Sequence, residues 1–156
     1  MQITILTLFP EMFQGPFDHS IIKRAREKGL VEIELINIRD FGEGRHQTVD
    51  DTPYGGGIGM VMRVDILHQA IEFAKRHSGE DEGRLQNPDS GQARMTKERV
   101  VLMSASGKQF KQQTAKEYAK LDHLILICGH YEGIDDRIKY FIDEEISIGD
   151  FVLTGG

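Results

Sequence analysis

The chain has one cysteine, Cys128, so no disulfide can be closed within it. That suits a reducing compartment, and a cytoplasmic location is expected. No apolar run approaches the roughly 20 residues a membrane-spanning helix needs, so no membrane partner is expected. The start, Met1-Gln2-Ile3-Thr4-Ile5-Leu6-Thr7-Leu8, lacks the basic stretch and cleavage site of a signal peptide and reads as a first strand. Basic residues are not in excess: 19 Lys and Arg stand against 25 Asp and Glu, a net charge of −6. This weighs against a nucleic-acid surface spread over the whole chain, because phosphate contacts need clustered cations. No Gly-Lys-Ser/Thr follows the glycine-rich stretch, which excludes a Walker A loop. No Gly-x-Ser-x-Gly elbow is present. The six histidines are scattered without metal-ligand spacing, so no metal-binding residue is assigned. There is no internal repeat.

What is present is an ordinary folded composition, 39% apolar and 28% charged over 156 residues, enough for one domain with a core. Residues 2–8 read as a buried strand broken at Pro10. Ser20 is placed to cap a helix through Ile21, Ile22 and Ala25 that stops at Gly29. Residues 31–37 alternate with a period of two, a strand. Residues 40–59 read as loop, 60–62 as a short apolar segment, and Asp65 as the opening of a helix carrying Ile66, Leu67, Ala70, Ile71, Phe73 and Ala74. Residues 78–98 are polar and read as a mobile surface insertion. Strands follow at 100–103, 123–128 and 145–148, with a helix carrying Phe110, Thr114 and Tyr118 and a short one at 135–141. Strands alternating with helices predict an α/β fold with a mostly parallel sheet.

Eleven of the 17 glycines fall within residues 42–59 and 129–156, where backbone is expected to approach a ligand. Three loops behind strands stand out as walls of one pocket, since open α/β sheets bind ligands at the carboxyl ends of their strands. They are Met103-Ser104-Ala105-Ser106-Gly107-Lys108, Gly129-His130-Tyr131-Glu132-Gly133 and Ser147-Ile148-Gly149-Asp150-Phe151. Tyr54-Gly55-Gly56-Gly57-Ile58-Gly59-Met60 is suited to a phosphate, a base or a lid. Glu132 sits in a turn where packing calls for no charge, which marks it as functional. Asp135 reads equally as helix cap or site residue. Asp150 could cap amides or meet a ligand. Asp143, Glu144 and Glu145 read as a solvated run, and Cys128 as a small core residue. Lys23, Arg24, Arg26 and Lys28 read as a solvated helix face, while Arg39, Arg45 and His46 border the glycine-rich loop.

Taken together, Gly129-His130-Tyr131-Glu132-Gly133-Ile134-Asp135-Asp136-Arg137, the segment from Ser147 to Gly156 and Arg45-His46-Gln47-Thr48-Val49-Asp50-Asp51-Thr52-Pro53-Tyr54-Gly55-Gly56-Gly57 resemble the bacterial tRNA (guanine-N1)-methyltransferases, the TrmD family. Leu8-Phe9-Pro10-Glu11-Met12-Phe13 matches as well, and the likeness runs from residue 1 to 156 in order. The resemblance implies the SPOUT methyltransferase fold with a C-terminal trefoil knot. It implies S-adenosylmethionine as donor, S-adenosylhomocysteine as product and a link to Mg²⁺. It assigns the cofactor to Leu102, Met103 and Ser104, to Gly129, Tyr131, Glu132 and Gly133, and to Ser147, Ile148, Gly149, Asp150, Phe151, Val152, Leu153, Gly155 and Gly156. It assigns substrate to Arg45, His46, Asp50, Tyr54, Gly55, Gly56, Gly57 and Gly59, and a supporting catalytic role to Glu132. The reaction implied is methyl transfer to N1 of the guanosine 3′ of the tRNA anticodon, by a homodimer in which the partner chain completes each site.

The family's base, an aspartate, and its helping arginine lie downstream of the final Gly-Gly. A linker and a helical tRNA-gripping domain follow there as well. Residues 1–156 are therefore expected to be an N-terminal part that binds the cofactor and transfers little methyl. Ser104-Ala105 replaces the family's usual Ser-Pro and predicts a less rigid first wall. The insertion at 78–98 is longer than usual. Two other readings stay open: another SPOUT enzyme acting on a ribose 2′-hydroxyl, and a non-catalytic nucleotide-binding module.

Overall fold

Five strands run in one direction through a single sheet, in the order β2-β1-β6-β5-β7. They are β1 (Gln2–Thr7), β2 (Glu32–Asn37), β5 (Glu98–Gln109), β6 (His123–Cys128) and β7 (Glu144–Ser147). A small antiparallel pair, β3 (Asp50–Asp51) and β4 (Val61–Met62), forms a second sheet. The helices are α1 (Ser20–Glu27), α2 (Val64–His77) and α3 (Gln112–Tyr118). This computed structural model describes residues 1–53, 56, 59–77 and 97–153.

The sheet is buried on both faces, which is why β6 can read Leu124-Ile125-Leu126-Ile127 without a polar residue. Ile125 and Ile127 join Leu6, Val100 and Leu102 on the side covered by α2. Leu124 and Leu126 join Val101 and Ile146 on the side covered by Tyr118 of α3. α2 sends Ile66, Leu67, Ala70, Ile71 and Ala74 into the core, a spacing that places them on one stripe. Each of the three larger side chains contributes roughly 1.5–3 kcal/mol by leaving water. The expected α/β sheet with helices on both faces is the one observed.

Several local expectations are corrected. Ser20 does not cap α1: it is the first helical residue, at φ +53, with extended His19 before it and no side-chain cap bond. Gly29 does end the helix, at φ +63. The stretch between Met103 and Lys108 is not a loop between elements but an excursion within β5. That strand pairs with β7 through Met103↔Ile146, then resumes at Lys108↔Ile146 and Gln109↔Ser147. Four residues are thereby pushed out of the ladder, a bulge larger than the usual single extra residue. Gly107 permits the return, since a Cβ there would lie 2.6 Å from the backbone of Glu145 and Ile146. Phe110 precedes α3 and only its ring approaches Tyr118, at 6.1 Å between centroids. The expected helix at 135–141 is a 3-10 turn, Asp136–Tyr140, with Asp135 as its cap. Of the expected insertion, residues 78–96 lie outside the described residues, and Glu98 belongs to β5.

Candidate active site

Three adjacent strands, β6, β5 and β7, end or bulge at the same edge of the sheet. The turn after β6, the excursion within β5 and the segment after β7 therefore meet around one cleft of about 510 Å³, within the range of small-molecule sites. Leu102, Met103 and Ser104 form the first wall. Gly129, Tyr131, Glu132 and Gly133 form the second. Ser147, Ile148, Phe151, Val152 and Leu153 form the third. Gly149 and Asp150 make the tip of the last turn without lining the cleft, and Gly155 and Gly156 lie outside the described residues.

Each wall has its own ties. In the first, Ser104 Oγ and Ser106 Oγ lie 2.9 Å apart, and Ser106 donates onward to Glu145 Oε2 at 3.3 Å. These side-chain contacts tie the excursion to β7, where Ser104-Ala105 stands in place of the family's usual Ser-Pro. In the third, Ser147 Oγ donates to the Gly149 carbonyl at 2.6 Å and accepts from the Gly149 N–H at 3.2 Å. Phe110 N–H donates to the Ser147 carbonyl at 2.7 Å. In the second, Tyr131 stands at φ +64, a left-handed conformation that costs a non-glycine residue about 1 kcal/mol or more. Such strain persists only where the surroundings impose it, and it falls at the centre of the site.

Asp135 closes the second wall. Its Oδ1 accepts from the Arg137 main-chain N–H at 3.0 Å and from Arg137 Nε at 2.9 Å. Bonding to that guanidinium holds the Asp135 carboxyl below its ordinary range. Asp135 does not line the cleft, so the geometry favours the cap. Cys128, buried at the end of β6, has its thiol pushed up to about 11 by desolvation, which suits a core residue rather than a nucleophile.

The structure also brings residues to the cleft that sequence reasoning did not assign. Ile134 and Ile138 line it, as do Asp136 and Lys139, whose charged groups pair at 2.6 Å. Glu145 lines it too, and the expected solvated acidic run is corrected. Glu144 binds Arg99 at 2.9 Å, and Asp143 accepts from the Val100 N–H at 2.7 Å. The available signal was the strand period: Glu145 and Ser147 are two apart in β7 and share a face.

Of the residues assigned to substrate, Gly59 reaches the cleft wall and packs on Glu132. Asp50 pairs with Met62 in the β3–β4 ribbon. That ribbon is stitched to the second wall: Met62 N–H donates to the Gly133 carbonyl at 3.0 Å, and Asp135 N–H to the Met62 carbonyl at 3.1 Å. Arg45 and His46 are exposed in the turn between Glu43 and Thr48, and Gly56 is exposed. Tyr54, Gly55 and Gly57 lie outside the described residues.

The profile of the family described as tRNA (Guanine-1)-methyltransferase TrmD matches residues 1–156. The chain belongs to that family. It is 51% identical over 156 residues to the tRNA (guanine-N(1)-)-methyltransferase of Dictyoglomus turgidum, covering all of this chain and 56% of that protein. It is 45% identical to the protein of the same name from Enterococcus faecalis, covering 57% of it. The crystal structure of the tRNA (m1G37) methyltransferase from Aquifex aeolicus superposes with a TM-score of 0.81 at 33% identity, covering all of this chain and 63% of that one. The chain thus spans little more than half the length of the curated relatives it matches.

Proposed function

We propose that this chain is the S-adenosylmethionine-binding part of a tRNA methyltransferase that modifies N1 of the guanosine 3′ of the anticodon. The observation that carries the reading is the cleft, in which twelve residues that the family resemblance assigns to the cofactor line one space. The residues fit the group. Among the described lining residues are the carboxylates Glu132, Asp136 and Glu145 against one ammonium, Lys139. Such a field favours a ligand bearing a sulfonium and an ammonium and disfavours a polyphosphate. Leu102, Ile138, Ile146 and Phe151 offer apolar surface for an adenine and a thioether chain.

When bound, the cofactor supplies a methyl carbon made electrophilic by the adjacent sulfonium. The three walls hold and orient it, and alignment of donor and acceptor carries much of the acceleration in a displacement of this kind. Guanine N1 must lose its proton to a base. The family resemblance places that base and its helping arginine downstream of the final Gly-Gly motif. The same resemblance supplies the trefoil knot, the cytoplasmic setting and the homodimer. No helix among the described residues is long and apolar enough to cross a membrane. Among the same residues no three potential metal ligands come together.

Calorimetry with S-adenosylmethionine, S-adenosylhomocysteine and ATP tests the site. Binding of the first two and not the third is expected, and a preference for ATP would reject the reading in favour of a nucleotide-binding module. Mapping the methylated atom on tRNA with the full-length protein separates base N1 from a ribose 2′-hydroxyl.

A further inference from the structure

Gly59 and Glu132 share one space. Gly59 stands at φ +104, and a Cβ built on it would overlap Glu132 Cγ while lying 3.1 Å from Cδ and 3.4 Å from Cβ. The stem of Glu132 therefore occupies the volume that any other residue at position 59 would fill. The main chains around this contact are not free to part. Glu132 N–H donates to the Met60 carbonyl at 3.2 Å, Met62 N–H to the Gly133 carbonyl at 3.0 Å, and Asp135 N–H to the Met62 carbonyl at 3.1 Å. His130 N–H approaches Met62 Sδ at 3.3 Å. With the backbones tied, a side chain at residue 59 displaces either the Glu132 carboxylate or the whole ladder.

We propose that Gly59 is a positioning residue for Glu132. Its bare Cα seats the carboxylate at the cleft wall and couples residues 59–62 to the turn after β6. This rests on the reading of the cleft as the S-adenosylmethionine site. A shift of residues 59–62 would then move Glu132, and occupancy of the cleft would bias residues 59–62 in return, because coupling between sites is reciprocal.

The test compares Gly59→Ala, Glu132→Ala and the double variant in the full-length protein, by S-adenosylmethionine calorimetry and by urea unfolding. Gly29→Ala is the control for backbone strain: Gly29 stands at φ +63 and a Cβ there meets nothing within 4 Å. Gly59→Ala is expected to weaken cofactor binding about tenfold, as coupled neighbours do. Combined with Glu132→Ala, it should weaken binding no further than Glu132→Ala alone. Its destabilisation should shrink toward the backbone strain that Gly29→Ala also carries, because the Cγ it strikes is gone, while keeping the added strain of an alanine at φ +104. Equal losses from Gly59→Ala with and without the Glu132 side chain would overturn the proposal, as would unchanged binding by Gly59→Ala. Failure of the wild-type protein to bind would reject the cofactor reading instead. The unfolding comparison then judges the contact by itself, and additivity there overturns it.

Discussion

His123 Nε2 lies 2.9 Å from Thr4 Oγ1, and both side chains are buried. Thr4 Oγ1 also lies 3.2 Å from Glu34 Oε2 and donates to it. The hydroxyl proton being spent on the carboxylate, His123 must donate through Nε2–H, which leaves Nδ1 as an acceptor without a partner among the described residues. Protonation would place an N–H where nothing accepts it. Burial accordingly pushes the His123 pKa below its ordinary 6.5, with nearby Glu34 opposing.

The sign of the pH effect follows. The folded pKa is depressed, so below about pH 6.5 the unfolded chain binds a proton that the folded chain refuses. This contribution to stability is full above that pH and is lost as pH falls toward the lower folded value, at up to about 1.4 kcal/mol per pH unit. Urea unfolding between pH 7.5 and 5.5 should show the decline, and His123→Gln should flatten it. An unchanged slope in the variant would remove His123 as the cause.

Asp135→Ala should cost about 1 kcal/mol through loss of the cap and of the Arg137 pairing, read as a lower Tm. Cofactor affinity should stay within about twofold, since the carboxylate does not line the cleft. A large loss of affinity at unchanged stability would return Asp135 to the site.

Tyr131→Gly should leave stability nearly unchanged. Release of a left-handed non-glycine residue, about 1 kcal/mol, offsets loss of the ring that meets His130 at 5.2 Å between centroids. Cofactor binding should weaken several-fold, because the turn is no longer held in one conformation. Calorimetry beside a melting curve separates the two effects.

Gly107→Ala should destabilise by about 2 kcal/mol, since its methyl meets β7 backbone and not a side chain that can swing away. Chemical denaturation checks this, and a neutral result would mean that β5 and β7 part easily at this point.

The α/β class, the strands β1, β2 and β6 and the three walls were legible because they rest on local patterns. Buried parallel strands read as apolar runs, and the walls follow strand ends that those runs mark. What was hidden depends on partners far along the chain. Nothing near residues 104–107 says that β7 takes up Lys108 after skipping four residues, so the stretch reads as a loop. Glu145 resembles its neighbours Asp143 and Glu144 until the sheet puts Ser106 beside it. Ser20 has the composition of a cap, but the cap position falls one residue earlier. The stitching of Met62 to Gly133 leaves no trace in periodicity, because two residues of β4 are too short to show one.

The bulge in β5 has a consequence for how the cleft opens. Among the described strands β7 pairs with β5 alone, over a ladder that the excursion interrupts. β6, by contrast, is locked between two neighbours along its length. Amide exchange should therefore be slowest at Ile125 and Ile127 and quickest near Ser147, so one wall of the cleft is a door hung on two hinges, Met103 and Lys108, while the wall behind β6 is the frame.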